Sequence, residues 1–269
     1  TIKKTEALIE KQQQIKAGLM HDLFTRGIGP DGKLRPPREQ APELYQETPI
    51  GWIPKEWLLE TISTISAHRK GSTVIGPFGS DLVMSDYQTE GIPVVFVRDV
   101  KEDGFNWVSN IFVSTHKAQR LFAHRVNSGD VVATKMGLPP CISSVYPNGM
   151  PMGIITADII RMTVNEKKVD AHWLSSAINH DRVTRQVAAI TAGVTRPKVT
   201  LADFRSLKIA MPDLSEQNSI NSVVTEHQGL LNSERAKLKK LNKTKSGLMH
   251  DLLTGKVQVN PDPPEKASD

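Results

Sequence analysis

A twelve-residue segment that occurs twice constrains the fold of this chain more than any other feature. Residues 16–27 read KAGLMHDLFTRG and residues 245–256 read KSGLMHDLLTGK, with eight identical residues in twelve and no gap. We call this segment the signature. A repeat of this kind indicates two structurally equivalent elements. The sequence therefore predicts two related structures on either side of a different, central region.

Each signature closes a segment that has the apolar spacing of a helix. In the second segment, apolar residues recur at intervals of three and four between residues 220 and 252, and Ser215 is a candidate N-cap. A helix over residues 215–254 would be roughly 60 Å long at 1.5 Å per residue. The first helix is predicted over residues 2–24, with Ile2, Ile9 and Ile15 on its apolar side.

The two helices are expected to form an antiparallel coiled coil. A helix of this length cannot bury its apolar stripe against one small domain, and the other signature helix is the obvious partner. Imperfect heptads, with His227 and Glu234 at apolar positions, are compatible with such a pair. The residues expected at the coiled-coil or partner interface are Leu19, Met20, Leu23, Leu231, Leu238, Leu241, Leu248 and Leu252.

Changes in composition divide the chain into five predicted segments. These are a first helix (1–26), a Pro- and Gly-rich extended connector (27–48), a central domain (49–214), a long second helix (215–256) and a disordered tail (257–269). In the central domain, short strands alternate with turns, and two stretches (115–123 and 171–190) have helical spacing. Strands are predicted at 93–98, 111–113, 130–135, 142–146, 153–162 and 207–210. The fold class is therefore α/β or α+β, flanked by long helices.

The sequence argues against an enzyme and against a resident metal or cofactor. The only cysteine, Cys141, excludes a disulfide framework and a Cys-rich zinc site, and a buried thiol of this kind fits a reducing cytoplasm. His21 and His250 have no third ligand that would complete a metal site. Residues 138–141 read LPPC, which lacks the amide and the aromatic ring that an Asn-Pro-Pro-Tyr methyltransferase motif needs. No Walker, His-Glu-x-x-His or Gly-x-Ser-x-Gly motif occurs, and no apolar run is long enough for a membrane span.

Charge and composition favour double-stranded DNA as the partner. The net charge of +5 suggests an acidic partner, while the 5% of aromatic residues argues against a single-strand binder built on base stacking. Duplex recognition uses basic, hydroxyl and amide side chains on loops. Any one such loop is more often a solvated charge, but four in one domain of a basic chain shift the balance modestly toward DNA. The candidate residues are Arg69, Lys70, Ser72, Arg98, Lys101, Lys135, Thr195, Arg196 and Lys198.

Several short motifs follow one another in an order that is itself informative. GPFGSD at 76–81, GIPVV at 91–95, SGDVV at 128–132 and IAMPDLSEQ at 209–217 precede the long helix that carries the second signature. This order resembles the specificity subunit of type I restriction-modification systems, which occur in bacteria and archaea. The resemblance covers nearly the whole chain.

The resemblance implies a non-catalytic, cytoplasmic subunit that recognises a DNA sequence. In that family the recognition domains grip the major groove, and the helices dock modification subunits that methylate adenine with S-adenosylmethionine. A restriction and motor subunit joins the same complex. The helix pair is expected to act as a ruler, because its length sets the gap between half-sites.

This chain departs from the usual plan, which has two recognition domains and two helices of this kind. It is expected to be either the second half of a two-domain subunit or a half-subunit that forms a homodimer. A homodimer would read a two-fold symmetric target. Two alternatives stay open: the non-catalytic recognition tail of a fused restriction-methylation enzyme, and a coiled-coil assembly protein without sequence readout.

Overall fold

The computed structural model of the chain describes residues 1–257. The α-helices in this range are α1 (Ile2–Thr25), α2 (Ile62–Ile65), α3 (Thr115–Arg120), α4 (Ala171–Asn179), α5 (Asp181–Thr191), α6 (Leu201–Ser206) and α7 (Leu214–Leu253). The β-strands are β1 (Tyr45–Thr48), β2 (Gly51–Pro54), β3 (Leu58–Thr61), β4 (Thr73–Ile75), β5 (Tyr87–Gln88), β6 (Ile92–Val95), β7 (Val100–Lys101), β8 (Gly104–Phe105), β9 (Phe112–Val113), β10 (Arg125–Val126), β11 (Val131–Thr134), β12 (Ser143–Val145), β13 (Gly153–Ile155), β14 (Ile159–Met162) and β15 (Lys208–Met211). Apart from Val257, the predicted tail lies outside the described residues.

The chain divides into two compact units. The globular unit comprises residues 19–224, and the helical unit comprises residues 1–18 together with residues 225–257. The globular unit thus contains the whole connector predicted over 27–48. The reason is that this segment is not simply extended: Arg35, Ala41 and Tyr45 are buried, and β1 pairs with β2 in an antiparallel hairpin.

The helical unit pairs the first part of α1 with the larger part of α7. The side chain of Lys16 donates to the Gln228 side chain at 2.5 Å, and the His227 imidazole contacts the Gln12 carbonyl oxygen at 3.1 Å. Leu231 is buried in this unit. The seam is therefore partly polar, as the imperfect heptads indicate. The prediction for Ile15 is wrong, because its side chain is 45% exposed.

Within the globular unit, the end of α1 lies beside the first turn of α7. The backbone N–H of Ile28, which follows α1, donates to the Glu216 carboxylate at 2.8 Å. Opposite ends of the two helices therefore meet, as expected for the antiparallel coiled-coil arrangement.

The long helix begins at Leu214, and its N-cap is Asp213, whose carboxylate accepts the Glu216 N–H at 2.8 Å. The prediction of Ser215 as the cap was wrong by two residues.

Two sheets carry most of the strands of the globular unit. One has five strands in the order β10-β13-β6-β9-β5, and the other has four in the order β12-β11-β14-β4. In the four-stranded sheet, β14 runs antiparallel to both β11 and β4, so β11 and β4 end at the same edge. A further antiparallel pair joins β15 to β3. This α/β arrangement confirms the predicted fold class.

Two predicted elements are interrupted by specific hydrogen bonds. The strand expected over 153–162 is two strands, because Thr156 turns aside and both its N–H and its hydroxyl donate to the Val95 carbonyl. The helix expected over 171–190 breaks at His180, whose Nδ1 accepts the Arg182 N–H at 3.3 Å and caps α5.

The Glu-Gln pair in the first turn of α7 ties this helix to the rest of the globular unit. The Glu216 carboxylate accepts from the Arg35 guanidinium at 2.5 and 3.0 Å and from the Trp57 indole at 3.1 Å, in addition to Ile28. A Cβ atom at Gly27 would lie 2.1 Å from a Glu216 oxygen, so this position at the end of the first signature requires glycine. We call Arg35, Trp57 and Glu216 the clamp.

Gln217 is fully buried and makes a second set of bonds. Its amide donates to the Pro212 and Lys168 carbonyl oxygens, and its side-chain oxygen accepts the Asp170 N–H at 2.9 Å. The Glu-Gln motif therefore fixes where the long helix leaves the globular unit.

None of the helices within residues 1–257 combines the length and the apolar character needed to cross a bilayer.

Candidate nucleic-acid interface

The loops that follow β4 and β11 leave the same edge of the four-stranded sheet. The β11 loop begins with Lys135, whose N–H donates to the Asp158 carbonyl at 2.7 Å, and the Lys135 ammonium lies 4.6 Å from the ring centre of Phe78 in the β4 loop. The two loops are therefore in direct contact. A cation over an aromatic face is an attractive arrangement that still leaves the ammonium available to an anion.

A third loop, between α5 and α6, joins this cluster. Met136 forms a β-bridge with Lys198, and the Val199 N–H donates to the Lys135 carbonyl at 2.9 Å. The exposed side chains of Thr195 and Arg196 belong to the same loop. We call the residues of these three loops, 76–81, 135–140 and 192–198, the basic loop surface. It brings together four of the predicted DNA-binding residues: Lys135, Thr195, Arg196 and Lys198.

The two glycines of the GPFG motif have different roles. A Cβ atom at Gly76 would lie 2.1 Å from the Thr156 carbonyl oxygen, so the chain can approach this carbonyl only because the residue is glycine. Gly79 instead has a φ of +60° with open space around it. The motif thus forms a tight turn that presents the exposed side chain of Phe78.

Three other predicted residues, Arg69, Lys70 and Ser72, lie at the opposite edge of the same sheet, because they precede β4. Their loop rests on Arg161, a buried side chain of β14 that donates to the Gly71 carbonyl at 2.9 Å. Burial lowers the pKa of Arg161. These residues form a second basic group, separate from the basic loop surface.

Arg98 and Lys101 follow β6 and belong to neither group. The Arg98 guanidinium lies 4.6 Å from the ring centre of Phe96, and its Nε donates to the Ser109 hydroxyl at 2.8 Å. The buried carboxylate of Asp99 fixes this turn by accepting several bonds, including the Ser109 N–H at 2.9 Å. Lys101 is exposed in the β7–β8 hairpin.

Cys141 is unsuited to nucleophilic chemistry. Burial, with a smaller contribution from Asp203, raises the pKa of its thiol to about 12, so the thiolate is not formed near neutral pH.

Residues 1–257 contain no group of three or more His, Cys, Asp or Glu side chains placed to hold a metal ion. His21 instead lies next to His180, with 6.2 Å between the ring centres.

The first signature is packed into the globular unit from Leu19 onward. Leu23 and Phe24 are almost fully buried, and the Phe24 ring stacks on Trp173 with 6.0 Å between ring centres. Leu19 and Met20 pack on the same core from the edge. Leu23 thus belongs to the globular core as well as to the end of the helix.

The second signature has the same local structure but is not covered. The Thr254 hydroxyl donates to the His250 carbonyl at 2.7 Å, as Thr25 does to His21 at 2.6 Å. In the helical unit, however, Leu252 is 48% exposed, and Leu248, Met249 and Leu253 are also exposed. Of the predicted interface residues, Leu231 is buried and Leu238 and Leu241 are half-buried, whereas Leu248 and Leu252 are exposed within the described residues 1–257.

Comparison with known proteins identifies the same family that the order of motifs indicates. The family described as type I restriction modification DNA specificity domain matches residues 109–243, which is half of the chain. Two relatives from Methanocaldococcus jannaschii, the putative type I restriction enzyme MjaX specificity subunit and the type I restriction enzyme MjaVIII specificity subunit, are 25% and 20% identical to it. Each alignment covers 93% of this chain but only 52% and 55% of the relative, so the chain spans about half the length of these curated relatives.

A solved structure shares the fold. The type I restriction-modification system S subunit from M. genitalium superimposes with a TM-score of 0.56 at 13% identity, over 97% of this chain and 57% of that one. The fold, the ordered motifs and the match over half the chain agree, and the chain belongs to the family of type I restriction-modification DNA specificity domains.

Proposed function

We propose that this chain recognises a specific sequence in double-stranded DNA and directs partner subunits to it. The observation that carries this proposal is the basic loop surface, in which Lys135, Arg196 and Lys198 stand on loops tied to each other at the end of a sheet. Basic side chains held on a rigid scaffold suit both phosphate contacts and bidentate recognition of guanine. Family membership supports the same conclusion.

The chemistry assigned to this chain is recognition and not catalysis. In the proposed complex, modification subunits methylate adenine with S-adenosylmethionine, and a restriction subunit cleaves. The cytoplasm, where the chromosome lies, is the proposed location. The chain contributes two things: the basic loop surface for the duplex, and the exposed part of α7 for protein partners.

The uncovered second signature supports a two-fold assembly. Because the first signature buries Leu23 and Phe24 in a recognition domain, the matching Leu252 and Leu253 are proposed to pack on another domain of the same kind. Covering these two side chains, which are 48% and 82% exposed, would contribute about 2–4 kcal/mol. That domain would come from a second copy of the chain or from another half of a longer subunit.

Selection from a random duplex library tests the recognition proposal. The full chain, alone and with the modification subunits of its own system, should enrich one defined sequence, and its affinity should fall steeply with salt. R196A should weaken binding by roughly 1–3 kcal/mol at one base position if Arg196 reads a guanine, or uniformly if it contacts a phosphate.

R185A is the matched control, because Arg185 is exposed in the same unit and pairs with Asp181 at 3.3 Å. It should bind as the wild type does. Enrichment of no sequence by the wild type would refute the proposal and favour an assembly protein without sequence readout.

A further inference from the structure

We propose that Leu138 reads the C5-methyl group of a thymine in the major groove, and is thus a specificity-determining residue of the basic loop surface. This inference rests on the proposed function and adds an apolar contact to the basic ones. Leu138 stands at the tip of the β11–β12 loop with 87% of its side chain exposed. Pro140 and Cys141 of the same loop are buried, whereas Leu138 and the adjacent Pro139 are exposed, so the tip of the loop presents an apolar surface outward.

The loop is held at both of its ends. Thr134 accepts the Cys141 N–H on its carbonyl at 2.7 Å and the Ile142 N–H on its hydroxyl at 3.0 Å. On the other side, the Gly137 N–H donates to the Pro197 carbonyl at 3.4 Å. A side chain on a tied loop loses little conformational entropy when it binds, which favours its use as a recognition element.

The surroundings of Leu138 indicate which partner it meets. Lys135 begins the same loop, and the loop bonded to it carries Arg196 and Lys198. An apolar tip between cations is complementary to a polyanion that offers an apolar group at the floor of a charged groove. In duplex DNA that group is the thymine methyl, the one apolar feature that base edges present in the major groove.

The test compares thymine with uracil in the sequence that the full chain selects from a random duplex library. Each dT of that sequence is replaced in turn by dU, which removes only the methyl group. For the wild type, one replacement should weaken binding about three- to fivefold, the factor that corresponds to burial of one methyl-sized group. L138A should bind the thymine duplex more weakly by a similar factor or more, and should not distinguish dT from dU at that position.

Two further variants serve as controls. L58A removes another exposed leucine of the globular unit, one that lies in β3 and outside the basic loop surface, and should bind and discriminate like the wild type. L138M keeps an apolar tip and should retain most of the preference for dT.

The outcomes separate this inference from the proposed function. If the wild type selects no sequence, the proposed function fails. If it selects a sequence but tolerates dU at every position, or if L138A still distinguishes dT from dU, only the role of Leu138 is refuted. A loss of binding to modification subunits in L138A, with unchanged DNA selection, would likewise overturn it in favour of a protein contact.

Discussion

Replacement of Glu216 by alanine should destabilise the globular unit far more than replacement of Glu56, although both carboxylates pair with Arg35. The Glu216–Arg35 pair is buried: the two side chains are 11% and 8% exposed. Glu216 also accepts the Ile28 N–H and the Trp57 indole N–H. E216A would leave the Ile28 and Trp57 donors without their acceptor, and the buried guanidinium with the exposed Glu56 carboxylate as its remaining ion-pair partner.

The expected magnitude follows from these contacts. Breaking a buried ion pair by removal of one partner costs about 3–5 kcal/mol, chiefly because the other charge stays buried. Glu56 is different, since its own side chain is 64% exposed and its removal leaves Arg35 still paired with Glu216. E56A should therefore cost no more than about 1 kcal/mol.

Urea denaturation followed by tryptophan fluorescence measures this difference. All four tryptophans of the chain lie in the globular unit, so the signal reports the unfolding of that unit. A double variant, R35L with E216L, should recover much of the stability lost in E216L alone, because it leaves no unpaired buried charge; the Glu56 carboxylate that loses Arg35 is 64% exposed. Equal free energies of unfolding for E216A and E56A would refute the role assigned to the clamp.

Three further predictions concern other parts of the chain. Burial, with a smaller contribution from Arg182, lowers the pKa of His180 to about 4, below the value of about 6.5 in an unfolded chain. The contribution of His180 to stability should therefore be complete above pH 6.5, and the free energy of unfolding should fall by up to about 3 kcal/mol as the pH drops toward 4. H180N, which can still cap α5, should show a much smaller fall when urea denaturation is repeated over this pH range. G76A should lower the free energy of unfolding by about 1–3 kcal/mol, because its methyl group would collide with the Thr156 carbonyl. G79A should lower it by about 1–2 kcal/mol through its positive φ alone. Equal, negligible losses of stability in thermal melts of the two variants would contradict the close approach at Gly76. L23D should unfold the globular unit, because Leu23 is almost fully buried. L252D, at the matching exposed position of the second signature, should leave the circular dichroism spectrum unchanged and lower the mass of the assembled complex. An unchanged mass would contradict the role proposed for the second signature.

The helices were predictable because their information is local. The spacing of apolar residues placed α1 and α7 to within one residue at each end. What local spacing could not decide was the cap, since both Asp213 and Ser215 are good N-cap residues. The choice depends on which side chain reaches the Glu216 N–H, and that is a matter of geometry.

The short strands were harder to predict because their partners are distant in sequence. β3 pairs with β15, about 150 residues away, and its LLET sequence has little alternation to mark it. Most of the strands of the two large sheets have buried residues on both faces, so polar positions that would show the period of two are few. The break at Thr156 comes from a bond to Val95 that no local pattern encodes.

The candidate site could be predicted in its parts but not in its grouping. The sequence indicates which loops are basic, yet Arg69 and Lys135 lie at opposite edges of one sheet because of strand direction and register. Phe78 and Leu138 were not among the predicted DNA-binding residues, because exposed apolar residues become informative only when their neighbours are known. Arg161 was missed for a related reason: an arginine inside a strand does not reveal from the sequence alone that it is buried.

The central claim is sequence-specific recognition of duplex DNA. The most direct test is the dissociation constant of the full chain, assembled with its modification subunits, for the selected duplex and for a scrambled duplex of the same length and composition at the same salt concentration. The account predicts that the selected duplex binds at least roughly a thousandfold more tightly, and that R196A weakens binding of the selected duplex whereas R185A does not. Equal dissociation constants for the two duplexes would contradict it.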